Sequence, residues 1–470
     1  MSELWRLSAT ELASAIASGK ASSAEVVEAH LGRIEAVNGR INAVVKVLAD
    51  EARRAATHAD RKVREGAPLG PLHGVPCTVK ANIDMKGIPT THGVRALADA
   101  IAPSDAPVVE RMRAAGAIPI ARTNLPDMAL RVHTDSSLHG LTRNPWNRDR
   151  TAGGSSGGEG AALATGMSPI GLGNDIGGSL RNPASACGIA SIRPSRGRVP
   201  DASASGPTQD RLLAVTEMAV QGPMARRIAD VRLGLKVLMG AHPRDPWSID
   251  APFEGKALKR PIRVAVVAEP PGGKTDPVIA ETVRRAADAL SNAGYDVVAA
   301  TPPRYEEAVQ VWGRFLFTDF AVVVPAMTAM MGKEGASFLA ESLKILPPYT
   351  DSASLSQLFI RRDGIAREWS LFMAEHPLVL TPTWTQLPFE HDADAAGAAG
   401  AAATFELMRP VTHANLLGLP SACVPAGHDA RTNLPIGVLV NGQRLRDDLC
   451  LEAAEIIEAR LGLQTPIDPA

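Results

Sequence analysis

Apolar residues fall at helical spacing behind two capping boxes near the start of the chain, Ser8-x-x-Glu11 and Ser22-x-x-Glu25, with Val27, Leu31 and Ile34 following the second. Residues 8–37 are therefore expected to form two short helices. The β-branched run at 41–48 (INAVVKVL) predicts a strand, and the charged stretch at 49–65 predicts a helix. An apolar strand is expected again at 77–84 (CTVKANID), with Gly74 and Pro76 before it and Gly87 and Pro89 after. From residue 106 a helix (VVERMRAAG), a strand (AIPIAR) and a loop (TNLPD) repeat the alternation of α/β proteins.

Residues 142–152 (TRNPWNRDRTA) are polar and turn-rich and predict a loop, followed by an alanine-rich helix at 159–167 and a short buried strand at 168–173. Beyond Pro200 a loop through Gly206 and Pro207 leads to a helix expected over 222–240, with Ile228, Val231, Leu235 and Leu238 on one face. A strand at 262–268 and a helix at 276–293 come next. Residues 305–372 hold ten of the 18 aromatic residues together with Met327, Met330 and Met331, which fits a helical core or an apolar pocket equally. Residues 395–404 (AAGAAGAAAT) read as a loop or a frayed helix start. The segments 415–427 and 434–442 supply the last strands, and a helix is expected at 445–461. No repeat and no linker interrupts the pattern, so residues 1–470 read as one compact α/β unit.

Composition narrows the partners. Lys plus Arg (49) nearly balance Asp plus Glu (50), so nothing in the net charge points to nucleic acid or an anionic membrane. Cys77, Cys187, Cys423 and Cys450 have neither C-x-x-C spacing nor histidine partners, so buried thiols are expected in place of a disulfide framework or a zinc site. The N-terminus lacks the apolar core of a signal peptide, and no run reaches the roughly 18 apolar residues of a spanning helix. The expectation is a cytoplasmic protein whose partners are a small molecule and, at most, a second copy of the chain.

Candidate chemistry concentrates at 153–181 (GGSSGGEGAALATGMSPIGLGNDIGGSLR), where Ser155 and Ser179 sit in glycine-rich loops 24 residues apart. In Asp175-Ile176-Gly177-Gly178-Ser179, two glycines precede the serine, so consecutive backbone N–H groups can converge on an oxygen beside its hydroxyl. That pattern suits a nucleophile with an oxyanion hole, and a serine nucleophile needs a base. Lys80 is the candidate, although its own stretch taken alone favours a solvated strand-end lysine. The run from Ala268 to Thr275 imitates a phosphate-binding loop but has alanine for the first glycine and two prolines where N–H donors belong. A rival reading takes Gly153-x-Ser155-x-Gly157 as the elbow of an α/β-hydrolase served by His391 or His413, but no strand is expected before it.

The runs GPLHGVPCTVKANID (70–84), TRNPWN (142–147), GGSSGGEGAALATG (153–166), GLGNDIGGSLRNPASACGI (171–189), PSRGRVP (194–200), QGPMAR (221–226) and NLLGLPSACVPAG (415–427) together resemble the amidase signature family. The resemblance covers the chain nearly end to end and is weakest over about 240–400, the expected substrate-pocket region. It implies an α/β fold with a single mixed sheet of about eleven strands wrapped by helices. It also implies a Ser-Ser-Lys triad, with Lys80 as base, Ser179 as nucleophile and Ser155, after a cis peptide bond, as the bridge. The N–H groups of Ile176, Gly177, Gly178 and Ser179 match the oxyanion hole, and Ser156, Asn174, Asp175 and Arg181 the supporting loops. Asn174 departs from the threonine or serine usual there; asparagine can still hydrogen-bond, which implies rearranged surroundings and not a lost site. No metal and no cofactor is implied.

For Lys80 to act near neutral pH its pKa must fall by several units from about 10.4, which burial can achieve. The expected activity is hydrolysis of hydrophobic or aryl amides, with aryl carbamates and esters in reach of the same chemistry. The alternative within the family is the ammonia-releasing component of a tRNA-dependent amidotransferase, its A subunit, which takes glutamine as substrate.

Overall fold

The structure, a computed structural model, describes residues 3–205 and 210–470. The expected turn at Gly206 and Pro207 lies outside the described residues. The strands in chain order are β1 (Val44–Val47), β2 (Pro76–Lys80), β3 (Ile118–Thr123), β4 (Asp135–Ser136), β5 (Gly140–Leu141), β6 (Ile170–Asp175), β7 (Ala190–Arg193), β8 (Val220–Ala225), β9 (Arg263–Val266), β10 (Asp296–Ala299), β11 (Leu378–Pro382), β12 (Ser421–Asp429) and β13 (Leu434–Gly442). Eleven of them form one sheet in the order β1-β3-β2-β6-β8-β7-β12-β13-β11-β9-β10, while β4 and β5 make a separate ribbon. The sheet is mixed: β2 runs parallel to β3 and β6, whereas β8 is antiparallel to both β6 and β7.

Both capping boxes form, at Ser8 and at Ser22, and start helices Ala9–Ala17 and Ser23–Ile41. The second helix is longer than the sequence suggests and takes in Ile41, so the expected strand at 41–48 shrinks to Val44–Val47. Asn42, in the left-handed conformation at φ 55°, ends that helix. The helix expected over 222–240 is corrected more substantially. Val220–Ala225 is strand β8, and the helix runs only over Ile228–Leu238. Gly222 and Pro223 disfavour helix, and a side chain at Gly222 would meet the Ile192 carbonyl oxygen at 2.7 Å, so glycine is what lets β7 and β8 close up. The alanine-rich stretch near 400 is the helix Gly397–Leu407. Residues 305–372 form helices Tyr305–Phe320, Val324–Met330 and Lys333–Ile345, with Ser352–Glu375 closing the region.

Apolar side chains cover both faces of the sheet. On β2, Cys77 and Val79 pack into one cluster with Val108, Val231 and Leu235, while the helix Gly157–Ala164 belongs to the cluster on the opposite face. Strand alternation therefore sends Thr78 and Lys80 toward that helix. All four cysteines are buried and free. Among the described residues no single helix is long and apolar enough to cross a membrane. Because β2 and β6 are parallel neighbours, their C-terminal ends, Lys80 and Asp175, emerge at the same edge of the sheet, where open α/β folds place their ligands.

Candidate active site

Lys80 is fully buried at the last position of β2. Its Nζ lies 2.8 Å from Ser155 Oγ and 2.7 Å from Asn174 Oδ1. Removal from water disfavours the ammonium and lowers the pKa to about 7, against the opposing pull of Asp175 and then Glu159. A neutral amine has two N–H donors and one lone pair. It can donate to the Asn174 carbonyl, which accepts only, and still take a proton from Ser155. Asn174 is itself held by a bond from its Nδ2 to Asn82 Oδ1 at 3.0 Å. Asn174 thus fixes the lysine head.

Ser155 follows a cis peptide bond from Gly154, as the resemblance implies, and is buried. Glycine is required at 154 because a side chain there would meet the backbone of Arg131, Val132 and His133 within 3 Å. Thr134 Oγ1 donates to the Gly153 carbonyl at 2.8 Å and accepts the Gly157 N–H at 3.1 Å, which clamps the loop from below. Ser156 heads the helix Gly157–Ala164, and its Oγ makes no hydrogen bond among the described residues, so any support it gives is by packing against Gly173.

Ser179 sits in the loop after β6. Asp175 organises that loop: its carboxylate accepts the Gly178 N–H at 2.8 Å and the Leu180 N–H at 3.2 Å, and pairs with Arg181 at 3.0 and 3.1 Å. Burial pushes this carboxyl up, but Arg181, Arg193 and Asn415 outweigh it and hold it well below the usual carboxylate range. Of the four N–H groups expected to face an oxyanion, one is already engaged. Gly178 spends its N–H on Asp175, which leaves those of Ile176, Gly177 and Ser179 as the candidate donors.

Residues beyond the sequence expectation complete the frame. Asn182 Nδ2 donates to the carbonyls of Gly154 and Gly177 at 3.3 and 3.1 Å, tying the two serine loops together, and Trp384 Nε1 donates to its Oδ1 at 2.9 Å. Asn415 bonds both Asp175 and Arg181. Trp312 Nε1 donates to the Ile176 carbonyl at 3.0 Å. Asn182 and Asn415 stand inside or at the start of family-like runs, but nothing in their own spacing marks them.

Ser155 and Ser179 both line a cavity of about 290 Å³. Its walls are mainly apolar, with Leu130, Val215, Phe320, Val323, Met327 and Met330. His92, Asp201 and Gln221 give it a polar side, as does Arg211, whose guanidinium is held by Asp201 at 2.9 Å and approached by Asp245 at 3.6 Å. A smaller cavity of about 40 Å³ adjoins Ser179 and is lined by Trp312, Phe317, Phe338 and Phe405. Phe315 and Phe359 instead meet edge to face at 5.0 Å within the core. The aromatic region is therefore part pocket and part core.

The histidines of the rival reading lie elsewhere. His413 Nε2 is bonded to the Tyr305 carbonyl and its ring stacks on Trp369, while His391 Nε2 takes the Arg148 carbonyl. Neither lines the cavity of Ser155 and Ser179.

The family model for Amidase matches residues 25–451. An indoleacetamide hydrolase of Bradyrhizobium diazoefficiens is 43% identical over 98% of this chain and 87% of its own length. An acylamidase of Rhodococcus erythropolis is 32% identical over 96% of this chain and 95% of its own. Among solved structures, a bacterial aryl acylamidase superposes with a TM-score of 0.82 at 27% identity, covering 98% of this chain and 97% of its own. Fold, family match and relatives agree: the chain belongs to the amidase signature family, hydrolases acting on amide C–N bonds.

Proposed function

We propose that the protein hydrolyses neutral amides with an aromatic acyl group, of the arylacetamide class to which indoleacetamide belongs, through an acyl-enzyme on Ser179. The observation that carries the chemistry is the contact between fully buried Lys80 and Ser155, on the same cavity as Ser179. Ser179 Oγ attacks the amide carbonyl carbon and passes its proton to Ser155, whose own proton goes to neutral Lys80. The carbonyl oxygen becomes an oxyanion facing the N–H groups of Ile176, Gly177 and Ser179. Lys80 then returns the proton along the same path to the amide nitrogen, the C–N bond breaks and the amine or ammonia departs. Water, deprotonated by the relay, attacks the acyl carbon and releases the carboxylate and the free Ser179 hydroxyl.

The cavity supports this substrate class. Its apolar wall of Leu130, Phe320, Met327 and Met330 suits an aryl ring, and about 290 Å³ lies at the lower end of small-ligand pockets. The 43% identical indoleacetamide hydrolase supports the same assignment. Glutamine carries an α-carboxylate that needs a cation. Arg211 is the cation on this wall among the described residues, and Asp201 and Asp245 already engage it. An aryl carbamate presents the same carbonyl to the same donors and is a second substrate of this site.

Measuring kcat/KM for indoleacetamide, an aryl nitroanilide, an aryl carbamate and glutamine side by side tests the reading. Indoleacetamide or another arylacetamide is expected to lead. Glutamine in first place overturns it.

A further inference from the structure

The face of the sheet that carries Lys80 also carries a buried carboxylate that the relay does not use. Glu159 is fully buried in the first turn of the helix Gly157–Ala164. Thr78 Oγ1 donates to its Oε1, and Thr123 Oγ1 donates to its Oε2 at 2.7 Å. Thr78 is two residues before Lys80 on β2, and Thr123 is the register partner of Lys80 on β3. Both hydroxyls therefore share a face with the lysine and hold the carboxylate beside it.

Two glycines make this placement possible. Gly171 pairs with Thr78 from β6, and any Cβ on it would occupy the position of Glu159 Oε1. A Cβ at Gly158 would collide with the backbone of Asn124, so glycine there lets the helix dock against the strands. The charged groups acting on Lys80 are Asp175 from the end of β6 and Glu159 from the helix, while Lys80 in turn helps to hold the buried His92 imidazole, lowered to about 4 chiefly by burial, in its neutral form. Arg122 on β3 acts with Lys80 on Glu159. Asp175 is balanced by its bidentate contact with Arg181, whereas Glu159 is held by hydroxyls and has no cation in contact among the described residues.

We propose that Glu159 is a positioning residue for Lys80: its carboxylate, fixed by Thr78 and Thr123, is the counter-charge for the ammonium that forms each time the lysine takes the serine proton. This rests on the assignment of Lys80 as the base. Burial raises the Glu159 carboxyl to about 7 and lowers the lysine to about 7, so the charge of each bears on the protonation of the other near neutrality. A negative charge beside the lysine favours its charged form. Removing that charge makes Lys80 easier to leave neutral but a weaker base.

The test is the pH dependence of kcat/KM and kcat on an arylacetamide for the wild type, Glu159→Gln, Thr123→Val and Lys80→Ala, each checked for a native-like melting transition. For Glu159→Gln the acid limb is expected about one pH unit lower, with kcat down about ten-fold. Thr123→Val loosens the clamp but keeps the carboxylate, so the limb moves the same way by less, and this variant decides the matter if Glu159→Gln does not fold. A limb that stays at the wild-type position, or moves up, in the variant that folds overturns the proposal even if kcat falls. Lys80→Ala retaining the wild-type rate and limb overturns the base assignment instead, which separates the two failures.

Discussion

Asn174 Oδ1 accepts a hydrogen bond from Lys80 Nζ at 2.7 Å, and its Nδ2 is held in turn by Asn82. A neutral acceptor there aims the lysine without charging it. Asn174→Asp puts a carboxylate in the same place, favours the ammonium and is expected to move the acid limb of the pH–rate profile upward by about one unit or more. Asn174→Ala loses the aim and is expected to lower kcat about ten- to hundred-fold with KM little changed. Steady-state kinetics across roughly pH 5–10 separate the two outcomes.

In the wild type the limb itself is expected near pH 7. Lys80 must be neutral to accept a proton and its pKa is lowered to about 7, so activity rises through that region and is lost below it as the ammonium forms. Best activity below about pH 5 contradicts a lysine base.

Asp175 and Arg181 are both fully buried and bonded to each other. Arg181→Met strands the carboxylate and is expected to cost about 3–5 kcal/mol, read as a fall in melting temperature. The Asp175 carboxyl is depressed in the fold. The stability it contributes is present above the unfolded value of about 3.9 and is lost as pH falls through the lower folded value. A pH scan of Tm in the wild type should show this acid-side loss.

Phe320 lines the larger cavity, whereas Phe315 packs edge to face on Phe359 in the core. Phe320→Ala is expected to reduce kcat/KM for indoleacetamide by about ten- to hundred-fold while sparing acetamide, whose methyl group does not reach that wall. Phe315→Ala is expected to cost about 3–5 kcal/mol of stability without that selectivity. Parallel kinetics and thermal melts distinguish them.

The parts of the site legible in the sequence are those whose function requires a particular local pattern. Glycines at 153 and 154 follow from backbone that must pass close to other backbone, those before Ser179 leave room for the Trp312 and Asn182 side chains with Gly178 at φ 94°, and the capping boxes at Ser8 and Ser22 report local hydrogen bonds. Family-like runs pointed to Lys80, since its own strand reads as well for a solvated lysine. What stayed hidden depends on tertiary placement. Asn182 joins two loops, Asn415 reaches Asp175 from 240 residues away, and Glu159 looks like an ordinary first-turn acid until the sheet places Thr78 and Thr123 over it. The helix expected over 222–240 was overextended because Gly222-Pro223 became the middle of β8, where pairing to β6 and β7 overrides the apolar period that begins at Ile228.

Above all, the proposed chemistry requires Ser179, and not Ser155, to be the nucleophile. Both hydroxyls line the same cavity, so reactivity must separate them. Peptide mass spectrometry after treatment with an aryl fluorophosphonate or sulfonyl fluoride reads the adduct directly. A single adduct is expected on Ser179, absent in Ser179→Ala and slowed by several orders of magnitude in Lys80→Ala. An adduct mainly on Ser155, with turnover surviving in Ser179→Ala, contradicts it.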